Sequence, residues 1–144
     1  MPQTVSVEPI SYMSTSGCKF YTSYRSCETF LVEISHNNPF EMFSHENQTD
    51  QLIPVQGISY LFYVENDKVR YISMNAESPV AVVIPPNVLH GSINVSGRPA
   101  AVVNALLRHD APAPNDYTPV LKLNKTLTEQ YQRLLERLRL KHEI

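Results

Sequence analysis

Short segments in which apolar and polar residues alternate occupy the first three quarters of the chain. The alternation is clear at Phe20, Thr22 and Tyr24, and again between residues 30 and 34. A period of two, with β-branched and aromatic side chains, is typical of β-strands. Further short apolar segments follow at 51–56, 58–64, 68–73, 80–84, 91–95 and 100–107. Turn residues separate these segments at 8 to 12 residue spacing, which predicts a β-sandwich or barrel.

The last quarter of the chain has a different pattern. Prolines and alanines at 110–116 predict an extended connector. The capping box Thr126-x-x-Glu129 predicts the start of a helix. Its apolar stripe has helical spacing and consists of Leu127, Tyr131, Leu134, Leu135 and Leu138. We expect a barrel with its N-terminal strands over 1–120, and a helix over 121–144 that packs on the barrel or on a second subunit. A helix on a membrane surface is the alternative.

Composition and charge restrict the function classes. The 144 residues carry a formal net charge of -2, and basic residues form no block outside the helix, so we expect no nucleic-acid partner. No apolar run approaches a membrane span, and the N-terminus lacks the pattern of a signal peptide. The two cysteines, Cys18 and Cys27, form neither a CxxC motif nor a zinc site. These features favour one cytoplasmic domain.

Two spaced sets of residues lie within the strand-rich region. The first reads His45-x4-Asp50-x6-Gly57, and the second reads Pro79-x5-Pro85-x-Asn87-x2-His90-x3-Asn94. They resemble the two motifs of the cupin superfamily, G-x5-H-x-H-x3-4-E-x6-G and G-x5-P-x-G-x2-H-x3-N. The resemblance implies an all-β fold, the double-stranded β-helix or jelly-roll barrel, with its heart at 39–107 and a C-terminal α-helix. It also implies a homodimer and a pocket near both histidines.

The same resemblance implies a candidate metal site. Carried over by position, the ligands are His45, Asp50 and His90, while Phe43 replaces the first histidine of the family pattern. Two imidazoles and one carboxylate suit Fe, Mn, Ni, Zn or Cu. Gln48 or Glu46 are further possible donors. This interpretation predicts a metal-dependent dioxygenase, isomerase or lyase that acts on a small polar metabolite; a barrel without metal is the alternative.

A second resemblance lies within the same superfamily. The segment 83–91, Val-Ile-Pro-Pro-Asn-Val-Leu-His-Gly, is similar to I-P-x-G-x-x-H-G of dTDP-4-dehydrorhamnose 3,5-epimerases. That family implies metal-free catalysis, in which a histidine matched by His45 is oriented by an aspartate and a tyrosine serves as acid. Its R-G-x-H signature is absent, and the nearest cations to clamp a pyrophosphate are Arg70 and Arg98. A barrel that binds a small ligand without chemistry is the third hypothesis.

Other residues have plainer interpretations. Asp50 could equally be a turn residue before a strand. His109 and Asp110 are expected at the surface, since neighbours on a strand point to opposite sides. Four alternating aromatic residues are expected in the core or the pocket wall, namely Tyr60, Phe62, Tyr63 and Tyr71.

Overall fold

The computed structural model describes residues 4–22, 24–120 and 123–143. Its elements, in chain order, are ten strands and one helix: β1 Ser6–Pro9, β2 Tyr12–Thr15, β3 Cys18–Tyr21, β4 Glu28–Ile34, β5 Gln48–Gln56, β6 Ile58–Glu65, β7 Lys68–Asn75, β8 Val80–Ile84, β9 His90–Ile93, β10 Ala100–Arg108 and α1 Lys125–Lys141. The strand prediction is therefore confirmed. Among the described residues, no helix is long and apolar enough to cross a membrane.

The strands form two facing sheets and a separate hairpin. One sheet has the order β1-β8-β5-β10-β4, the other has the order β7-β6-β9, and β2 pairs with β3 alone. All described strand pairs are antiparallel. Two antiparallel sheets that enclose a core form a jelly roll. Between them lies an apolar cluster of Ile34, Leu52, Leu61, Met74, Val82, Ile84 and Val102.

Strand β6 is apolar on both faces, because it contributes to two cores. Leu61 faces the barrel interior, whereas Tyr60 and Phe62 belong to a second cluster under α1. Tyr131 of the helix stacks on Phe40 with ring centroids 3.7 Å apart. The amphipathic stripe thus packs on the protein's own barrel. Of the four aromatic residues singled out in the sequence, none is in the described lining of the main cavity.

The helix does not begin at the predicted capping box. Its N-cap is Asn124, whose Oδ1 accepts a hydrogen bond of 2.8 Å from the backbone N–H of Leu127. Asparagine caps helices at least as well as threonine. The helix therefore begins directly after Asn124, and Thr126 lies in its first turn. The prediction of Thr126 as the cap is therefore wrong by two positions.

Two motif positions have the backbone geometry that their residue types favour. Asn87 has φ 65°, in the left-handed region where the cupin pattern places glycine and which asparagine tolerates. Gly57 has φ 63° at the tight passage from β5 to β6, and a Cβ there would collide with the carbonyl of Pro99. Both residues therefore support the turns that lead into the motif strands.

Candidate active site

Asp50 is the centre of the candidate site, and it lies within β5 rather than in a turn. The residue is 3% exposed. Its Oδ2 atom lies 3.1 Å from Nε2 of His90 and 3.5 Å from Nε2 of His45. The three residues predicted from the sequence therefore meet at one point, although they come from β5, β9 and the loop before β5.

The histidine on β9 is held at both ring nitrogens. Nδ1 of His90 lies 2.9 Å from the carbonyl oxygen of Val88. A carbonyl oxygen can only accept, so Nδ1 carries a hydrogen, and the 3.1 Å separation on the other side indicates a second hydrogen bond, to the carboxylate. The backbone of His90 also pairs with Phe43 through two hydrogen bonds of 2.7 and 2.9 Å. His90 is therefore a rigidly oriented member of the site.

The other histidine is less constrained. The 3.5 Å separation between His45 and Asp50 is longer than a normal hydrogen bond, and Nδ1 of His45 is buried without a hydrogen-bond partner among the described residues. Burial lowers the pKa of His45, and the nearby Asp50 carboxylate opposes this effect only in part. The imidazole is therefore neutral near pH 7 and has a lone pair available.

Two amides support the carboxylate from the opposite side. Oδ1 of Asp50 accepts hydrogen bonds from Nε2 of Gln48 at 2.6 Å and from Nδ2 of Asn104 at 3.1 Å. Burial by itself would raise the pKa of Asp50, but the hydrogen bond from His90 and its charge, together with Asn104, outweigh burial and lower it. The carboxylate is therefore ionised at neutral pH.

Sequence reasoning missed a tyrosine at this site. The connector after β10 places Tyr117 with its ring centroid 5.5 Å from that of His45. Its hydroxyl donates to Oε1 of Gln48 at 2.9 Å and accepts from Nη2 of Arg108 at 2.8 Å. The connector is anchored by buried Asp116, whose carboxylate accepts from the N–H groups of Glu46 and Ala113. The only signal in the sequence was that the epimerase resemblance requires a tyrosine.

Several other candidates lie away from this point. Asn94 follows the motif pattern but is a structural residue, since its buried amide bonds the carbonyls of Ile34 and Arg98. Arg70 lines a separate groove, and Arg98 is exposed in a turn. His109 and Asp110 are exposed, as predicted.

The site opens into a cavity of about 710 Å³. One end is polar and is formed by His45, Gln48, Asp50, His90, Asn104 and Tyr117. The remaining wall is largely apolar and includes Phe30, Val32, Phe43, Leu52 and Val102. The volume lies in the range of small-molecule binding sites.

The donor set also fits a divalent metal. One ligand atom from each of His45, Asp50 and His90 lies within 4.8 Å of the others. Ligands at about 2.0–2.2 Å from a metal are separated by roughly 3 Å in tetrahedral or octahedral geometry, which is close to the two distances at Oδ2. Phe43 offers no ligand atom to such a site.

Comparison with known proteins gives a clear result for the fold. No family model matches the sequence, and a comparison with curated proteins also finds no match. Solved structures do match. A variant of the 3,4-ketoisomerase QdtA from Thermoanaerobacterium thermosaccharolyticum, in complex with TDP-4-keto-6-deoxyglucose, superposes with TM-score 0.64 at 15% identity, over 94% of this chain and 99% of that chain.

Two further enzymes give similar values. The TDP-quinovose 3,4-ketoisomerase WlaRB from Campylobacter jejuni has TM-score 0.67 at 12% identity, over 88% of this chain and 99% of that chain. The dTDP-6-deoxy-D-glucose-3,5-epimerase RmlC from Legionella pneumophila, in complex with dTDP-4-keto-L-rhamnose, has TM-score 0.63 at 11% identity, over 86% and 81%. The predicted cupin fold with its C-terminal helix is confirmed, and its neighbours are RmlC-like.

Proposed function

We propose that this cupin barrel is a sugar-nucleotide isomerase that moves a proton between adjacent carbons of a keto sugar. One observation carries the proposal: the carboxylate of Asp50 brings two imidazoles together at the polar end of a cavity that also holds a phenol. Structural neighbours with the same fold act on such sugars or bind them, which supports this substrate class. This proposal takes the second resemblance, to metal-free nucleotide-sugar enzymes, in place of the metal-dependent enzyme that the sequence analysis put first.

The chemistry assigns a different role to each group. His45 takes the proton from the carbon beside the ketone. The electron pair of that C–H bond forms a carbon–carbon double bond, and the π pair of the carbonyl moves onto its oxygen to give an enediolate. Asp50 stabilises the imidazolium that forms at His45, and His90, which contacts the Val88 carbonyl through Nδ1 and the Asp50 carboxylate through Nε2, holds Asp50 in place. Tyr117 supplies a proton to the former carbonyl carbon when the intermediate collapses, and the hydroxyl proton of the adjacent carbon passes to the enediolate oxygen. Proton transfer through solvent from the His45 imidazolium to the phenolate restores both groups.

The relative position of base and acid favours isomerisation over epimerisation. The ring centroids of His45 and Tyr117 are 5.5 Å apart, which would let both groups approach a bound sugar from one side. Inversion at carbon requires a base and an acid on opposite faces of the substrate. Transfer of a proton to the neighbouring carbon requires only one face, which a base and an acid with adjacent rings can serve.

The two ends of the cavity suit the two parts of a sugar nucleotide. The sugar would occupy the polar end, and the base would contact the apolar wall near Phe30 and Val32, which are 45% and 39% exposed. Among the described residues, no lysine or arginine lines the cavity. The diphosphate would therefore remain hydrated at the open mouth.

Conversion of TDP-4-keto-6-deoxyglucose, followed by NMR, tests this proposal. We expect the ketone to move to the adjacent carbon, with full activity in an Asp110→Asn control, which changes an exposed carboxylate. Absence of any conversion, with enzyme and substrate at comparable concentrations, would contradict the proposal.

A metal centre is the second candidate function, favoured by the convergence of three ligand atoms on His45, Asp50 and His90. A divalent ion bound there would supply Lewis-acid chemistry at a ligand oxygen. Elemental analysis of the purified protein separates the two candidates. About one transition metal per chain, lost in both His45→Ala and His90→Ala, would support the metal centre. A metal-free protein that still converts the keto sugar would exclude it.

We also propose that the protein is a homodimer. Every residue of the β2–β3 hairpin is exposed, including Tyr12, Met13 and Phe20 at 52%, 68% and 53%. An isolated hairpin is marginally stable in water, and β4 leaves an open sheet edge with Leu31 65% exposed. A second copy would cover these surfaces. Sedimentation should give twice the chain mass of 16.4 kDa, and Met13→Lys should shift it towards the monomer; a monomeric wild type at micromolar concentration would contradict the dimer.

A further inference from the structure

Tyr117 is held in the site by polar contacts rather than by burial. It is 53% exposed and lies in the part of the connector, residues 109–119, that the structure describes as irregular. Its hydroxyl is fixed by one hydrogen bond given to Gln48 and one received from Arg108. Because an exposed tyrosine ring has several rotamers available, these two bonds decide whether the phenol stays near His45.

Arg108, at the end of β10, is itself fixed by a carboxylate on the neighbouring strand. Its Nε and Nη2 atoms donate to the two carboxylate oxygens of Glu28 at 2.7 and 3.1 Å. This bidentate pairing holds the guanidinium plane in one orientation. The remaining donors then point inward, with Nη1 at 3.1 Å from Oε1 of Gln48 and Nη2 at 2.8 Å from the hydroxyl of Tyr117.

Gln48 links this cation to the catalytic carboxylate. Its amide oxygen accepts from Arg108 and Tyr117, while its amide nitrogen donates to Asp50 at 2.6 Å. A flipped amide would place NH₂ against the guanidinium and oxygen against the carboxylate, so only one orientation satisfies every partner. The hydrogen bonds between these residues therefore run in one direction, from the Arg108 donor through Gln48 to the Asp50 acceptor.

We propose that Arg108 is the positioning residue that makes Tyr117 the acid of the reaction, an inference that rests on the proposed isomerase function. When Tyr117 acts as acid, its hydroxyl hydrogen turns from Gln48 to the intermediate. The O–H bond then breaks, a C–H bond forms at the former carbonyl carbon, and the negative charge remains on the phenolate oxygen. The guanidinium stays 2.8 Å from that oxygen and stabilises the charge. Glu28 acts one step further out, because it orients Arg108.

The first test needs no substrate. In protein labelled with 3-fluorotyrosine, the ¹⁹F resonance of Tyr117 is assigned by its disappearance in Tyr117→Phe. Arg108→Met should move this resonance to the position of a freely rotating ring, Arg108→Lys should move it less, and Arg98→Met, which changes an exposed turn residue, should leave it unchanged. A resonance that stays in place in Arg108→Met would overturn the proposal.

The second test separates positioning from a general structural role. With TDP-4-keto-6-deoxyglucose in D₂O, Arg108→Met should lower product formation about a hundredfold, yet still incorporate deuterium into recovered substrate, because His45 is intact. Arg108→Lys should restore part of the product. Equal losses of exchange and product formation would overturn the proposal. If the wild type shows no exchange, the isomerase function fails, whereas the ¹⁹F measurement still decides whether Arg108 positions Tyr117.

Discussion

The Nε2 atom of His90 and the Oδ2 atom of Asp50 are 3.1 Å apart in a site where both side chains are buried. The other ring nitrogen of His90 is held by a backbone carbonyl, so the imidazole and the carboxylate form one rigid unit. A rigid pair of this kind provides electrostatic stabilisation without reorganisation during the reaction.

Replacement of the central carboxylate should remove the chemistry. Asp50→Asn keeps the size of the side chain but removes the charge that stabilises an imidazolium at His45 and orients His90. We expect the rate of keto-sugar conversion to fall by a factor of roughly 10² to 10⁴, measured by NMR, with an unchanged far-ultraviolet circular dichroism spectrum. A variant with near wild-type conversion would show that the carboxylate is not part of the chemistry.

Phe43 occupies the position where the cupin pattern has a further histidine ligand. Its backbone pairs with His90 in an antiparallel bridge, so the two side chains lie on the same face. Phe43→His should add a third imidazole and tighten Zn²⁺ or Ni²⁺ binding by about tenfold or more, which is about 1.4 kcal/mol, as measured by calorimetry. Phe43→Leu provides the matched control and should show no gain. Equal affinities in all three proteins would contradict this geometry.

Gly91 allows the close backbone contact that positions both residues of that bridge. A Cβ at this position would collide with the carbonyl of Glu41. Gly91→Ala should therefore separate the 41–43 segment from β9 and lower the free energy of unfolding by more than about 2 kcal/mol. Urea denaturation measures the change, and Ser92→Ala on the same strand should cost much less. A fully stable Gly91→Ala variant would show that this contact is dispensable.

The buried phenol of Tyr131 on α1 should make the free energy of unfolding depend on pH in the alkaline range. Burial raises the pKa of Tyr131 to about 12, with a smaller opposing effect from Arg139. In the unfolded chain Tyr131 loses its proton near pH 10, whereas in the folded protein it keeps the proton to higher pH. The contribution of Tyr131 to the free energy of unfolding should therefore be fully present below pH 10 and be lost as the pH rises towards 12. The loss due to Tyr131 should reach about 2–3 kcal/mol, and the total loss should be smaller by that amount in Tyr131→Phe, where Tyr60 and Tyr63, whose pKa values burial also raises, remain. Parallel stability curves for the two proteins would contradict the predicted coupling.

Site residues that stand at fixed spacing within a motif could be predicted from the sequence. Site residues that only the tertiary fold brings to the cavity could not. His45, Asp50 and His90 were identified because strand registers fix the distances between motif positions. Tyr117 reaches the site through an irregular connector whose course is set by Asp116, and Arg108 acts through Glu28 on another strand. Neither of these contacts produces a periodic pattern in the sequence. The helix was predicted from its stripe, but the choice of Asn124 over Thr126 as cap depended on local backbone geometry.

Deuterium wash-in at the carbon beside the ketone tests the central claim most directly. TDP-4-keto-6-deoxyglucose is incubated in D₂O with wild type, with His45→Gln and with His109→Gln, whose histidine is exposed at the end of β10. We predict rapid incorporation with wild type and His109→Gln, and at least about a hundredfold slower incorporation with His45→Gln. No incorporation with wild type, or equal rates in all three proteins, would contradict proton transfer at His45.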